Sequence, residues 1–245
     1  MSAVHQLVQN PLRRSPFESA WSGLAPACVE HSGMRVPTQF AGEGLPTVAL
    51  VDCSFLPRAG VKGEGAGAWL EQQGIALPQR HNHWLPHRGG WVGRLGHNEF
   101  LLESAPDADW TRPLRDNAAW PLRTMPVLRQ DASLLLCGSA LYELLAQTCS
   151  FNFGALDPPA CELVMTQMIG VSVLAAPVPG APLPALRLWC DPSFAPYLWR
   201  TLAQIAGELG GAPLGWQQLD DLGIPLSWTA LPHHLSKAVT PEQNS

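Results

Sequence analysis

Apolar residues follow two different periods along the chain, and these periods predict strands and helices. The runs PTVALVDCS (46–54) and SLLLC (133–137) are almost continuously apolar, which is typical of buried strands. Each run is followed by a segment whose apolar residues recur at i, i+3 and i+4, the spacing of one buried helix face. These positions are Ala66, Trp69 and Leu70 in the first segment, and Leu141, Leu144 and Leu145 in the second.

A longer helix is predicted over residues 191–210. Asp191 can cap its start, Pro192 suits its first turn, and Gly210 can end it. Its predicted buried stripe consists of Phe194, Tyr197, Leu198, Thr201, Leu202, Ile205, Ala206 and Leu209.

The two strand-helix units are copies of one pattern at an offset of 75 residues. VKGEGAGAWLEQ (61–72) lies over LCGSALYELLAQ (136–147), so that Gly63 meets Gly138. Each glycine is predicted to open a strand-to-helix turn where the backbone bends sharply or approaches a neighbour closely. Each copy continues with two or three short strands and another helix. This order predicts an α+β fold of two pseudo-repeated halves, with mainly antiparallel sheets and packed helices.

The repeat also predicts how the chain is divided. We expect an N-terminal extension over 1–44, a first α+β half over 45–125, a second half with a closing segment over 126–231, and a flexible tail over 232–245.

Gly63, Gly65 and Ala68 also match a loose dinucleotide-binding pattern, G-x-G-x-x-A. A working fingerprint requires an apolar strand directly before the glycines and an acidic residue about 20 positions later. Arg58 to Lys62 precede Gly63, and His81, Asn82 and His83 occupy the later region, which holds no carboxylate. The pattern therefore predicts a helix start, not a nucleotide site.

Composition narrows the class of protein. The 245 residues are 46% hydrophobic and 14% charged with a net charge of −5, which favours a folded domain over disorder. Arg13-Arg14 is the longest basic cluster and no apolar run approaches a membrane span, so we expect neither a nucleic-acid nor a membrane partner. A secretory signal is not evident, and a cytoplasmic location is expected. Ten tryptophans predict that some rings reach a subunit interface.

Candidate chemistry is sparse. The six cysteines form no C-x-x-C pair, and Cys53, Cys137, Cys161 and Cys190 lie in or beside apolar runs, where thiols are usually buried. No G-x-S-x-G elbow is present. We assign no catalytic residue and no metal ligand, and the cofactor-binding residues stay unknown.

Three patterns leave alternatives open. His81, His83 and His87 on a proline-bounded loop could surround a metal, but neither they nor His233-His234 have a nearby fourth ligand. Asp52 and Asp131 are expected to bond backbone turns, and otherwise to line a groove between the halves. Asp220-Asp221 is expected on the solvated side of a short helix that begins at Trp216, with Leu219 and Leu222 turned inward.

The ordered segments of the repeat resemble the aminomethyltransferase fold family, which includes the glycine-cleavage T-protein and the YgfZ-type folate-binding proteins. Within it the chain most resembles the gamma subunit of heterotetrameric sarcosine oxidase and its N-methylglutamate dehydrogenase relatives. The similar segments lie within roughly 45–230 and are VDCSFLPRAGVKGEGAGAWL, GGWVGRLGHNEFLLES, RQDASLLLCGSALYELLAQTC, RLWCDPSFAPYLWRTLAQIAGELG and GAPLGWQQLDDLGIPLSW.

Two departures shape what the resemblance implies. Aminomethyltransferases carry an acidic pair near the folate after their Gly-Gly pair, whereas here Gly89-Gly90 is followed by WVGR. The YgfZ signature K-G-C-Y-x-G-Q-E is missing. The resemblance thus implies a non-catalytic gamma-like accessory subunit in sarcosine catabolism. Its partners would be larger alpha and beta subunits with FAD, FMN and NAD, and a small zinc-binding delta subunit. The alternative is a stand-alone tetrahydrofolate-binding protein of one-carbon metabolism.

Overall fold

The computed structural model describes residues 13–42, 45–156, 161–224 and 226. Its α-helices are α1 (Glu18–Trp21), α2 (Ala66–Gln72), α3 (Arg112–Arg115), α4 (Leu141–Thr148) and α5 (Ala195–Glu208). Its strands are β1 (Ala27–His31), β2 (Met34–Gln39), β3 (Ala49–Asp52), β4 (Arg58–Lys62), β5 (His83–His87), β6 (Gly90–Gly96), β7 (Glu99–Glu103), β8 (Met125–Val127), β9 (Ala132–Cys137), β10 (Val164–Met168), β11 (Val171–Pro177), β12 (Ala185–Cys190) and β13 (Ala212–Pro213). Short 3₁₀ helices span Ser22–Leu24, Phe153–Ala155, Pro192–Phe194 and Trp216–Leu222.

Two large sheets repeat one topology, as the α+β prediction requires. One sheet has the order β5-β6-β7-β4-β8, and the other has the order β10-β11-β12-β9-β3-β13. Every neighbouring pair is antiparallel except β13 with β3. A smaller antiparallel hairpin joins β1 to β2. The prediction of two pseudo-repeated halves with mainly antiparallel sheets is confirmed.

The strand that precedes each repeat pairs with the sheet of the other repeat. β3 lies before β4 in the chain but pairs with β9, where Leu50 faces Leu136. β8 lies before β9 but pairs with β4, where Val61 faces Pro126. The five-stranded sheet is therefore built from one continuous stretch of chain, and that stretch lies between β3 and β9. The division of the chain into residues 45–125 and 126–231 stays a prediction.

The repeated glycines stand at matching strand ends. Gly63 follows β4 with φ +117°, and Gly138 follows β9 with φ +138°, a backbone region that disfavours side chains. A Cβ at Gly63 would overlap the carbonyl oxygen of Arg123, and a Cβ at Gly138 would overlap that of Thr47. Both glycines therefore let the start of a neighbouring strand pass close by, as their place in the repeat predicts.

The sheets face each other and helices cover their outer faces. Val51, Leu135 and Trp189 from one sheet share an apolar cluster with Trp91 and Leu101 from the other. Helices α4 and α5 pack on the outer face of the six-stranded sheet, whereas α2 and α3 cover the five-stranded sheet. The result is a four-layer arrangement whose centre is the contact between the sheets.

Helix α5 begins and ends as its sequence predicts, but its buried stripe is partly different. Asp191 accepts a hydrogen bond from the backbone N–H of Ser193, and Gly210 follows the helix with φ +79°. Phe194 and Tyr197 are half-exposed, whereas Trp199 is buried. The predicted stripe was wrong at its start because the buried face of α5 includes Ala195 and Trp199, so that it is rotated relative to the predicted one.

Five of the nine tryptophans in the described part of the chain lie in the core. Trp21, Trp84, Trp91, Trp189 and Trp199 are among its largest fully buried side chains. The other four that are described, Trp69, Trp110, Trp120 and Trp216, are half-buried. The five buried rings cannot reach a subunit interface, because the two-sheet core encloses them. For the four half-buried rings the expectation that some tryptophans reach an interface stays a prediction.

Candidate functional site

A buried carboxylate occupies the contact between the two sheets. Glu103 ends β7 and is only 1% exposed. Arg187 on β12 of the opposite sheet donates from Nη2 to both Glu103 oxygens, at 3.0 and 3.2 Å. The indoles of Trp91 and Trp189 donate to Oε1 at 3.1 Å and to Oε2 at 2.9 Å. Both carboxylate oxygens are therefore saturated, and a cross-sheet ion pair joins the halves.

A second buried arginine lies beside this pair. Arg58 begins β4, and its Nη1 is 3.7 Å from Glu103 Oε2. Its Nη2 donates to the carbonyl oxygen of Ser54 at 2.7 Å. Burial lowers the pKa of Arg58, and the Glu103 charge partly opposes that shift. Nε and Nη1 make no hydrogen bond to any described residue.

Asp52 anchors the segment that precedes α1. Its Oδ2 accepts hydrogen bonds from the hydroxyl of Ser15 and from the indole of Trp21, the latter at 3.0 Å. Its Oδ1 accepts from the backbone N–H of Ser54 at 2.9 Å, which confirms the predicted turn. Complete burial raises the pKa of Asp52 despite these donors.

Asp131 does not bond a turn, and this prediction was wrong. Its nearest cationic group is Arg129, whose Nη1 is 4.0 Å from Oδ1. At this turn the backbone N–H of Ser133 donates to the hydroxyl oxygen of Ser54 instead. Asp131 instead lines an open cavity of about 1100 Å³ between the N-terminal segment, α3 and the link from β8 to β9. The alternative that one of the two aspartates lines a groove between the halves stays a prediction.

Arginine dominates the charged lining of that cavity. Six arginines line it, namely Arg13, Arg14, Arg58, Arg112, Arg115 and Arg129, against two acidic residues, Asp109 and Asp131. Leu56, Leu114 and Trp120 contribute apolar wall. The volume reaches the upper end of the range typical of small-molecule sites.

The three predicted histidines do not assemble as one metal site. His83 and His87 lie at the two ends of β5, and the segment is a strand instead of the predicted loop. Four residues along a strand separate them by roughly 13 Å. His81 contacts His97 and His87 contacts Trp110. Within 13–42, 45–156, 161–224 and 226, no cluster of three or more His, Cys, Asp or Glu could hold a metal. His233-His234 lies outside the described residues.

The remaining acidic pair behaves as predicted. Asp220 and Asp221 are exposed on the 3₁₀ helix that begins at Trp216, and Leu219 is buried beneath it. The pair therefore faces solvent, away from the contact between the sheets. Among the described residues, no helix combines the length and the apolar character that crossing a bilayer demands.

The four cysteines predicted to be buried are buried, and this makes their reactivity predictable. Burial raises the pKa of Cys53, Cys137 and Cys190 to about 12 and that of Cys161 to about 11. At pH 8 we expect a thiol reagent to modify only Cys28 and Cys149 in the native protein, because thiolates are the reactive form. Mass spectrometry counts the labels, and denaturant should raise the count to all six. Native labelling at Cys53 would contradict the structure.

Glu103, Arg58 and Arg187 were not identified from the sequence. Each is a charged residue within or at the end of a short apolar strand, in NEFLLES, RAGVK and PALRLWC. A charged residue in such a strand is a usable signal, because a charge is buried only with a partner. The pairing itself joins residues 84 positions apart, which periodicity does not report.

Comparison with known proteins supports the fold. No protein-family model and no curated protein sequence matches the chain. A glycine cleavage system aminomethyltransferase T from Bartonella henselae is similar at 16% identity and a TM-score of 0.63, over 86% of this chain and 62% of that one. A chain of the heterotetrameric sarcosine oxidase from Corynebacterium sp. U-96 is similar at 21% identity and a TM-score of 0.59, over 82% of this chain and 98% of that one. The protein therefore has an aminomethyltransferase-like fold.

Proposed function

We propose that the protein is a gamma-like accessory subunit of a heterotetrameric sarcosine oxidase or of a related N-methyl amino-acid oxidase or dehydrogenase. The observation that carries this proposal is the fold that the chain shares with a chain of a heterotetrameric sarcosine oxidase. The chain spans 98% of a chain from a heterotetrameric sarcosine oxidase but only 62% of the aminomethyltransferase. In this proposal larger alpha and beta subunits carry FAD, FMN and NAD, and a small delta subunit binds zinc.

The contact between the sheets is consistent with a bracing role. An acid for proton transfer needs an oxygen that a substrate can reach. Both oxygens of Glu103 are instead held by Arg187 and two indoles, in a residue that is 1% exposed. β7, which pairs with the strand that contains WVGR, thus supplies a carboxylate. The hydrogen bonds of that carboxylate hold the two halves together. The proposed role is to hold a rigid surface against the flavin-bearing subunits.

Co-expression tests the proposal directly. The tagged chain is expressed with the products of its neighbouring genes and, as a control, with an unrelated flavoprotein of similar size. We expect the neighbouring subunits, with bound flavin, to co-purify in a fixed stoichiometry, and the control to be lost. A soluble, stable monomer that ignores the neighbouring flavoproteins would overturn the proposal.

Tetrahydrofolate binding is the second candidate. The observation that favours it is the shared fold with an aminomethyltransferase, together with an open cavity of about 1100 Å³. The arginines of that cavity suit the glutamate carboxylates of a folate, and Trp120 offers an aromatic wall. Calorimetric titration of the isolated chain with tetrahydrofolate would show saturable heat in this case. A flat trace would remove the candidate and leave the subunit proposal standing.

A further inference from the structure

The arginine-lined cavity has an unusual charge for this protein. The chain carries 20 acidic and 15 basic residues, yet six of its thirteen arginines line one cavity that has only two carboxylates. Arg115 and Asp109 neutralise each other through two contacts, at 3.1 and 2.5 Å. Burial, followed by the neighbouring Arg115 charge, lowers the pKa of Arg13. Glu103, Asp116 and Glu99 lie within 4 Å of Arg58, Arg112 and Arg129 and partly compensate their charges. The positive charge that remains attracts anions, because a charged cleft with low-dielectric walls concentrates ions of the opposite sign.

Burial separates the arginines into an inner and an outer group. The side chains of Arg58 and Arg129 are 3% and 14% exposed, whereas that of Arg112 is 73% exposed. The Nε atoms of Arg58 and Arg129 are buried and make no hydrogen bond to a described residue. A buried cationic donor without a partner is costly, which is why such donors normally face an acceptor.

The position of Arg129 depends on a glycine. A Cβ at Gly60 would be 2.8 Å from Arg129 Nε, so the absence of a side chain at this point of β4 makes room for the guanidinium group. Arg129 Nη2 also donates to Glu99 Oε1 at 2.7 Å, which restrains the same guanidinium group further. The inner end of the cavity thus holds two restrained guanidinium groups, and leucine and tryptophan side chains form part of its wall.

We propose that this cavity binds a small organic oxyanion, a carboxylate or phosphate on an apolar body, with Arg58 and Arg129 as its inner cationic groups. Guanidinium groups match both anions through paired N–H donors, and the apolar wall suits the rest of such a molecule. The proposal does not depend on the subunit role, because the residues it names belong to this chain.

Nuclear magnetic resonance titration of the full chain, alone or in the complex with which it purifies, tests the proposal. The probes are benzoate and phenyl phosphate, with benzamide as the neutral molecule of matching shape. We expect saturable shifts with at least one anion and none with benzamide. Binding of only one anion identifies the favoured group. Absence of binding by both anions, or equal binding of benzamide, would overturn the proposal.

Arginine variants locate the site. Replacing Arg129 with glutamine should raise the anion Kd about tenfold or more, because one charge-assisted contact is lost. Arg200→Gln, an exposed residue on α5 outside the cavity lining, is the control and should leave Kd unchanged. Arg58 also contacts Glu103, so Arg58→Gln is informative only when its circular dichroism matches the parent. An unchanged Kd in Arg129→Gln would refute the assignment.

Discussion

Replacing Glu103 with glutamine is expected to lower the free energy of unfolding by about 3 to 5 kcal/mol, the usual cost of breaking a buried ion pair from one side. Arg187 is 1% exposed and would keep its charge in the core without a carboxylate. The two indoles would also share an amide that has one acceptor oxygen in place of two. Urea unfolding followed by tryptophan fluorescence measures the change.

A surface pair provides the control for this prediction. Glu64 binds Arg123 on the surface, and both side chains are about two-thirds exposed or more, at 66% and 70%. Glu64→Gln should change stability by less than about 1 kcal/mol, because solvent screens exposed pairs. Adding Arg187→Met to Glu103→Gln should recover part of the loss, since it removes the uncompensated charge. Equal effects of Glu103→Gln and Glu64→Gln would show that the cross-sheet pair is unimportant.

Replacing Gly138 with alanine should destabilise the protein by about 3 kcal/mol or more, from backbone strain and overpacking together. The φ of +138° disfavours any side chain, and the new Cβ would overlap the carbonyl oxygen of Thr47. Thr47 cannot move freely, because the same carbonyl accepts the backbone N–H of Ala140 at the start of α4. Thermal unfolding would report the loss as a lower Tm.

Gly170 is the control that measures the cost of backbone strain without the cost of a close contact. It lies in the turn between β10 and β11 with φ +80°, and nothing lies within 4 Å of its would-be Cβ. Gly170→Ala should cost only about 1 kcal/mol, the strain of the backbone alone. If both alanine variants lost the same stability, close approach at Gly138 would not be the reason for that glycine.

The sequence predicted local structure well where one residue type has one structural use. Gly63 and Gly138 stand at matching strand ends with positive φ, and Asp191 caps the helix that follows it. Apolar spacing placed α2 and α4 correctly because a helix has to bury one face. By contrast, β5 was predicted as a loop, because its histidines and proline are not residues typical of a strand.

The candidate site was harder to predict because it depends on pairing between distant segments. Glu103 and Arg187 stand in separate strands, and only the face-to-face contact of two sheets brings them together. The arginines that line the cavity belong to the N-terminal segment, β4, α3 and the link before β9. No period in the sequence reports such convergence, although a charged residue in a short apolar strand is a sign that a partner exists.

The segment that forms the five-stranded sheet is inserted in the chain between two neighbouring strands of the six-stranded sheet. This insertion affects the order in which the two sheets fold. β3 and β9 are adjacent in the six-stranded sheet, but Asp52 and Ala132 are separated by the whole of the five-stranded half. Closing so long a loop costs entropy while the intervening chain is unfolded. Once that half is compact, the two ends are already near each other. Kinetic experiments should therefore find protection in β4 to β8 before the pairing of β3 with β9.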